Sequence, residues 1–404
     1  MNHSMEGITM SNLWSWNTPE EFWQLDRVFT QRDWQDAARK ALPLLHLSGS
    51  ETNLQELLTL VLGEAQYGND HWRMGVLTKL YYLLKPIVPR FLTRFLRKLY
   101  SKSFRGKGQI RHWPLDTRYA EFQWEIIRQL LIETNNKVAM HKDFWPEGRQ
   151  FAFVLTHDIE TAKGQTFVRN VADLEESLGL RSSFNFVLER YPLNYKLMQE
   201  LRERGFEIGC HGLKHDGRLF YSRSIFEKRV IRINRRMKDY GMVGFRSPLT
   251  LRNPEWMQTL EIEYDSSFFD TDPFEPIPGG GMCIWPFFLG RFVELPYTLV
   301  QDHTLIQVLG ETTPRIWLEK VKFIQMYHGM ALLNTHPDYL MDGKALEIYT
   351  EFLQSMRQMR GDWHALPRDV ARWWKTRASS AADQENVILS RLTLDRENNL
   401  FVER

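Results

Sequence analysis

Cysteine is scarce: Cys210 and Cys283 are the only two in 404 residues, far apart in the chain. A secreted disulfide scaffold uses more, and this spacing matches no thiolate metal site. No apolar run approaches the roughly 18 residues that a membrane-spanning helix needs. The first residues, MNHSMEGITMSNLWSWNTPEEF, lack an apolar stretch behind a basic start, so no secretory signal is expected. Nor does one charge dominate. The 52 basic and 50 acidic residues leave a formal charge of +2, which excludes a polycationic nucleic-acid binder. These absences predict a cytoplasmic protein with reduced thiols.

What is present is an ordinary globular composition, 43% hydrophobic and 25% charged, which excludes a largely disordered chain. The length suits two or three domains at about 150 residues each, or one large α/β domain with an appendage. Three regions are expected. Residues 1–148 carry apolar residues near the helical period, as in EEFWQLDRVF and YAEFQWEIIRQLLIETN. Within them, 71–115 holds no Asp or Glu but many Lys and Arg interleaved with Leu, Phe and Tyr. Such a basic amphipathic segment suits peripheral contact with an anionic membrane, or else a helix pair with a solvated basic face. No nucleic-acid recognition motif accompanies it.

Residues 149–378 alternate short apolar runs (FAFVLTHD, SSFNFVLE, FEIGCHG, VGFRSP, FVELPYT, GMALLNTH) with helical patterns. That alternation predicts a parallel sheet with helices outside it, and Gly179, Gly205, Gly241 and Gly329 fall where helix C-caps are expected. Residues 379–404 read as a linker and a short hairpin turning at ENN.

The chemistry-bearing residues follow the apolar runs, where α/β folds place active sites. His211 and His215 in CHGLKH lie on one face if the chain turns helical there, and neutral imidazoles ligate zinc-like ions. Taken alone, an HxxxH pair is more often structural. In LTHDIE, alternation along a strand points Asp158 and Glu160 the same way with Ile159 opposite, offering a cation ligand and a general base. Arg246 in GFRSP is suited to holding a carboxylate. His336 in LLNTHPD could act as general acid, with Asp338 fixing its tautomer. Jointly, in one β/α domain, they describe a metal hydrolase.

In this order, LTHDIE, CHGLKH, GFRSP, YDSSF and LLNTHPD resemble the five motifs of the polysaccharide deacetylase family, also called the NodB-homology or carbohydrate esterase family 4 fold, over roughly residues 150–340. The resemblance implies a distorted (β/α) barrel of seven or eight strands, a divalent metal such as zinc, and hydrolysis of acetyl groups from an N- or O-acetylated saccharide. It assigns His211 and His215 as metal ligands, Asp158 as general base, Arg246 as the residue that orients it, and His336 as general acid. The family's second motif-one aspartate falls at Ile159, and Glu160 is the natural substitute ligand. A THDVD/THDVE-type branch of the family, linked to polysaccharide biosynthesis, is the nearest in pattern. Tyr264, Asp265 and Ser266 would shape the substrate pocket, and backbone N–H groups there would stabilise the oxyanion. Trp285, in GGGMCIWPFF, would form a sugar platform, or else belong to the core. The rivals are metal-independent C–N hydrolysis of a non-sugar amide, and an inert saccharide-binding or membrane-recruitment protein on the same barrel.

Overall fold

The computed structural model describes residues 13–47, 54–68, 71–72, 75, 112–379 and 387–403. Most of the basic segment 71–115, and with it the expected membrane contact, lies outside those residues. Among the described residues no helix is long and apolar enough to cross a membrane.

The described residues before Val138 are mainly helical. A helix over Gln31–Ala41 opens with a capping box, in which Thr30 and Asp33 satisfy each other's backbone N–H groups. Helices Leu54–Val61 and Arg118–Glu133 follow. Strand β1 (Val138–Lys142) then leads into β2 (Phe151–Ile159). All nine β2 residues are buried, the pattern of a strand covered on both faces.

After it come β3 (Ser183–Phe186), β4 (Glu207–Cys210), β5 (Gly244–Phe245), β6 (Tyr264–Asp265), β7 (Phe287–Leu289), β8 (Phe292–Glu294), β9 (Met330–Thr335) and β10 (Asp362–His364). These and β2 form one nine-stranded sheet, in which β9 pairs with β2 and the order then runs β2–β3–β4–β5–β6–β8–β7. Every pairing is parallel except the β7–β8 hairpin. β10 lies beside the start of β2 and β3 beside its end, so both occupy the edge opposite β9. Bridges from Leu299 to Leu333 and from Tyr297 to Phe269 curl the sheet back on itself. The architecture is the distorted, partly open α/β barrel expected from the motifs.

Helices cover the outside because each has one apolar stripe. In Arg223–Asp239 the buried residues are Phe226, Val230, Ile233 and Met237, spaced three to four apart, and the Ser222 hydroxyl accepts from Ile225 N at the start. Gly179, Gly205 and Gly241 take positive φ after their helices. Gly329 does not. There His328 is the left-handed residue, and Gly329 is required because a Cβ would stand 2.8 Å from Ile284 Cδ1.

The helical region is packed onto the barrel through a shared aromatic core. Trp124 stacks on Trp285 at 5.9 Å, and Trp23 and Phe22 meet Phe144. The C-terminal hairpin, β11 (Leu389–Leu394) and β12 (Leu400–Glu403), pairs with β1 in a separate three-stranded antiparallel sheet. The C-terminal hairpin is thereby joined to the segment that leads into β2.

Candidate active site

The strand ends deliver the chemistry. Asp158 closes the alternation of β2 and Glu160 follows it, and both line one cleft, while Ile159 turns into the core. His211, His215, Arg246 and His336 line the same cleft.

The two histidines arrive there without a helix. Gly212 takes φ +68, with Pro248 Cδ only 2.7 Å from where a Cβ would be, and His215 itself is left-handed at φ 49. Two left-handed turns, rather than a helical face, bring the rings to 5.1 Å. His211 Nδ1 lies 3.1 Å from the Arg246 carbonyl oxygen, which can only accept, so that nitrogen carries the proton and Nε2 is bare. Burial pushes the His211 pKa down to about 4, which keeps the ring neutral and able to ligate.

Glu160 Oε1 is 2.9 Å from His215 Nε2. Burial works against ionisation of Glu160, but the neighbouring histidines, His215 first, hold its carboxyl well below the usual range. One donor atom each from Glu160, His211 and His215 lies within 4.8 Å of the other two. Of the two rings, the bare Nε2 of His211 is buried without a hydrogen-bond partner, while Nε2 of His215 faces Glu160. Unsatisfied buried acceptors are uncommon. This N, N, O set fits a divalent ion of the zinc type.

Asp158 is held differently from the expectation. Asn185 Nδ2 donates to Oδ1 at 3.0 Å and Asn334 Nδ2 to Oδ2 at 2.9 Å. Arg246 Nε stands 3.7 Å from Oδ1, and its Nη2 donates to Thr156 Oγ1 at 3.0 Å. Two amides orient the carboxylate, and Arg246 adds field rather than a hydrogen bond. Burial opposes the Asp158 charge, yet His211, Arg246 and His336 together keep the pKa below the ordinary value. The amide support depends on glycine: a Cβ on Gly209 would stand 2.1 Å from Asn185 Oδ1.

His336 is also oriented by a residue not foreseen. Its Nδ1 lies 2.7 Å from Asp302 Oδ1, and its backbone N–H donates to Asp302 Oδ2 at 2.8 Å. Asp338, expected in that role, packs against Gly164 and leaves Oδ1 buried without a partner. Burial alone would lower the His336 pKa, but the Asp302 carboxylate, with the charges of Glu160 and Asp158 added, overrides it and pushes it up to about 10. The bound proton is left on Nε2, which faces Glu160 Oε1 at 3.6 Å.

The expected substrate contacts need correction. Tyr264 is buried, donates to Glu207 Oε1 at 2.8 Å at the start of β4, and does not line the cleft. Asp265 accepts from the Ser267 hydroxyl and N–H and faces Glu294, and Ser266 is buried. The N–H groups of Ser266, Ser267 and Phe268 already donate to Phe245 O, Asp265 and Glu294, so they are not oxyanion donors. Trp285 is 0% exposed and its Nε1 donates to His328 O, so the GGGMCIWPFF tryptophan belongs to the core. The aromatic rings that do line the cleft are Phe274 and Tyr339, the latter 5.1 Å from the His336 ring.

Of the residues missed in the sequence, Asn185 carried a signal, being an amide inside the apolar run SSFNFVLE. Asp302 carried none, since LVQDHTL lies on no strand.

The cleft thus gathers three donor atoms that could hold a cation, a carboxylate clamped by two amides and a carboxylate-backed histidine at the strand ends of a curled parallel sheet. No family model and no curated protein matches this chain. Among solved structures it is similar to a protein from Mycobacterium smegmatis assigned as a polysaccharide deacetylase, with 18% identity over 57% of this chain and 92% of that one, and a TM-score of 0.47. It is similar to a probable polysaccharide deacetylase from Pseudomonas aeruginosa PAO1, with 15% identity over 57% and 93% and a TM-score of 0.47. It is likewise similar to the Puue allantoinase, with 15% identity over 57% and 92% and a TM-score of 0.46.

Proposed function

We propose that this protein is a metal-dependent hydrolase that removes acetyl groups from an N- or O-acetylated saccharide, in the biosynthesis or modification of a polysaccharide. The observation that carries this reading is the convergence of Glu160, His211 and His215 with Asp158 and His336 in one cleft. The ordered motifs in the sequence supply the substrate class.

Glu160, His211 and His215 would hold the ion. When bound, a zinc-type ion supplies Lewis acidity toward the acyl carbonyl and acidifies water. Asp158, ionised and fixed by Asn185 and Asn334, takes the proton of the attacking water. Arg246 keeps that carboxylate charged. His336, held protonated by Asp302, donates from Nε2 to the departing amine or alcohol. Phe274 and Tyr339 offer apolar faces to a sugar ring. The reading includes a cytoplasmic setting, in which the buried Cys210 and Cys283 stay free thiols.

The test is acetate release from N-acetylated glucosamine oligomers and O-acetylated xylose oligomers, before and after chelation. Release that is lost on chelation and restored by zinc is the expected result. Release indifferent to chelation would point to metal-independent hydrolysis, and no release from either set would sink the saccharide assignment.

A further inference from the structure

The glycine run Gly279–Gly280–Gly281 and the helical N-terminal region meet at one loop of the cleft. Residues 271–280 form a closed loop, its stem joined by Gly281 N to Phe269 O (3.0 Å) and Met282 N to Asp270 O (2.9 Å). On one side the loop is cleft wall, through Phe274, Glu275 and Pro276. There Glu275 accepts from Thr250 Oγ1 (2.7 Å), the Tyr297 hydroxyl (2.6 Å) and Gln301 Nε2 (2.5 Å), which together fix its carboxylate on the cleft side.

The other side is held by the N-terminal region. Glu64 Oε1 accepts from Gly280 N at 2.7 Å, and the same carboxylate takes a bidentate pair from Arg252, Nε at 2.9 Å and Nη2 at 2.6 Å. Gln66 Nε2 donates to Gly280 O (3.3 Å), Thr271 Oγ1 donates to His112 O (3.1 Å), and the Trp113 ring meets Phe274 edge-on at 5.5 Å. Both partners of the ion pair are 0% exposed. Glu64 itself is left-handed at φ 57, an uncommon conformation for glutamate. The glycines make the approach possible: a Cβ on Gly279 would stand 2.0 Å from Arg252 Nη2, and Gly280 takes φ +120. A buried ion pair contributes little net stability, because desolvation offsets most of its attraction.

We propose that Glu64 is a positioning residue for saccharide recognition. Acting through Gly280 and Arg252, it holds the 271–280 loop so that Phe274 presents an apolar face, and Glu275 a carboxylate, to the sugar ring beyond the acetyl group. The site is the one read above as a hydrolase, and the inference rests on that reading for its substrate class. A ring with hydroxyls at its rim and C–H groups on its face suits such a wall.

The experiment separates recognition from chemistry. Binding of an acetylated glucosamine oligomer is measured by calorimetry on Asp158→Asn protein, with and without Glu64→Gln. Hydrolysis of 4-nitrophenyl acetate, which needs no sugar subsite, is measured on Glu64→Gln alone. The expected result is a Kd about tenfold weaker, equivalent to about 1.4 kcal/mol, with ester hydrolysis and zinc content unchanged. Trp113 is only partly buried, so Trp113→Ala removes a second prop at little risk to folding, and the same split in a smaller degree is expected. An unchanged Kd in both variants, or Kd and ester hydrolysis worsening together with the unfolding temperature, would overturn the proposal. Wild-type protein that releases no acetate and cleaves no ester would remove the hydrolase reading, while the tenfold loss of binding would still support the positioning role.

Discussion

Asp158→Asn is expected to lower kcat by on the order of 10²- to 10⁴-fold, the range that a positioned general base contributes. The replacement preserves shape. Asn185 and Asn334 each donate an amide proton to one Asp158 oxygen, and an asparagine there can still accept one of the two. What disappears is the ionised acceptor for the water proton. Because Asp158 is not in the Glu160, His211 and His215 donor set, zinc content is expected to stay at the wild-type level. Steady-state kinetics and metal analysis of the same preparation check both parts. A variant with wild-type turnover, or one that has lost its metal, would remove Asp158 from the role of base.

Asp302→Asn is expected to act through His336. In the wild type, Asp302, with the charges of Glu160 and Asp158 added, offsets the cost of burial and raises the His336 pKa to about 10, so the ring stays protonated well above neutrality. A general acid works only while protonated, so activity should fall on the alkaline side as His336 loses its proton. Without the carboxylate, that alkaline fall moves to lower pH, and the rate at neutral pH drops on the order of 10²-fold. The sign for stability is the same. A histidine whose folded pKa is raised contributes fully below its unfolded value, near 6.5, and the contribution is lost as pH rises through the folded value. Profiles of kcat/KM against pH for the two proteins test this. An alkaline limb that does not move would mean that Asp302 only packs against His336.

Much of the cleft was legible because local pattern and chemistry coincide. An apolar run ending in THDIE, or in NTHPD, must deliver its polar tail to the end of a strand, since the run itself is fully buried. Alternation along β2 placed Asp158 and Glu160 in the cleft and Ile159 in the core. His211 and His215 converge as expected, although by two left-handed turns instead of a helix, and only Gly212 hinted at that.

What was not legible depends on partners distant in sequence. Asp302 reaches His336 across a register that LVQDHTL does not reveal. The guanidinium of Arg246 could equally have bonded Asp158 or Thr156, and packing decided for Thr156. Trp285 reads alike as sugar platform or core. It is core because Trp124, Phe144 and Phe22, from the helical region and the chain just after β1, converge on it. For the same reason the pairing of β1 with the C-terminal hairpin could not be foreseen: neither carries a motif, and the contact joins residues near 140 to residues near 390.

The reading as a whole turns on whether Glu160, His211 and His215 bind an ion. Its most direct test is the metal content, by mass spectrometry, of wild-type and His211→Ala/His215→Ala protein after equilibration with zinc and dialysis. About one ion per wild-type chain, absent from the double variant, is the predicted result. Folded wild-type protein that retains no ion, or a double variant that retains as much, would contradict it.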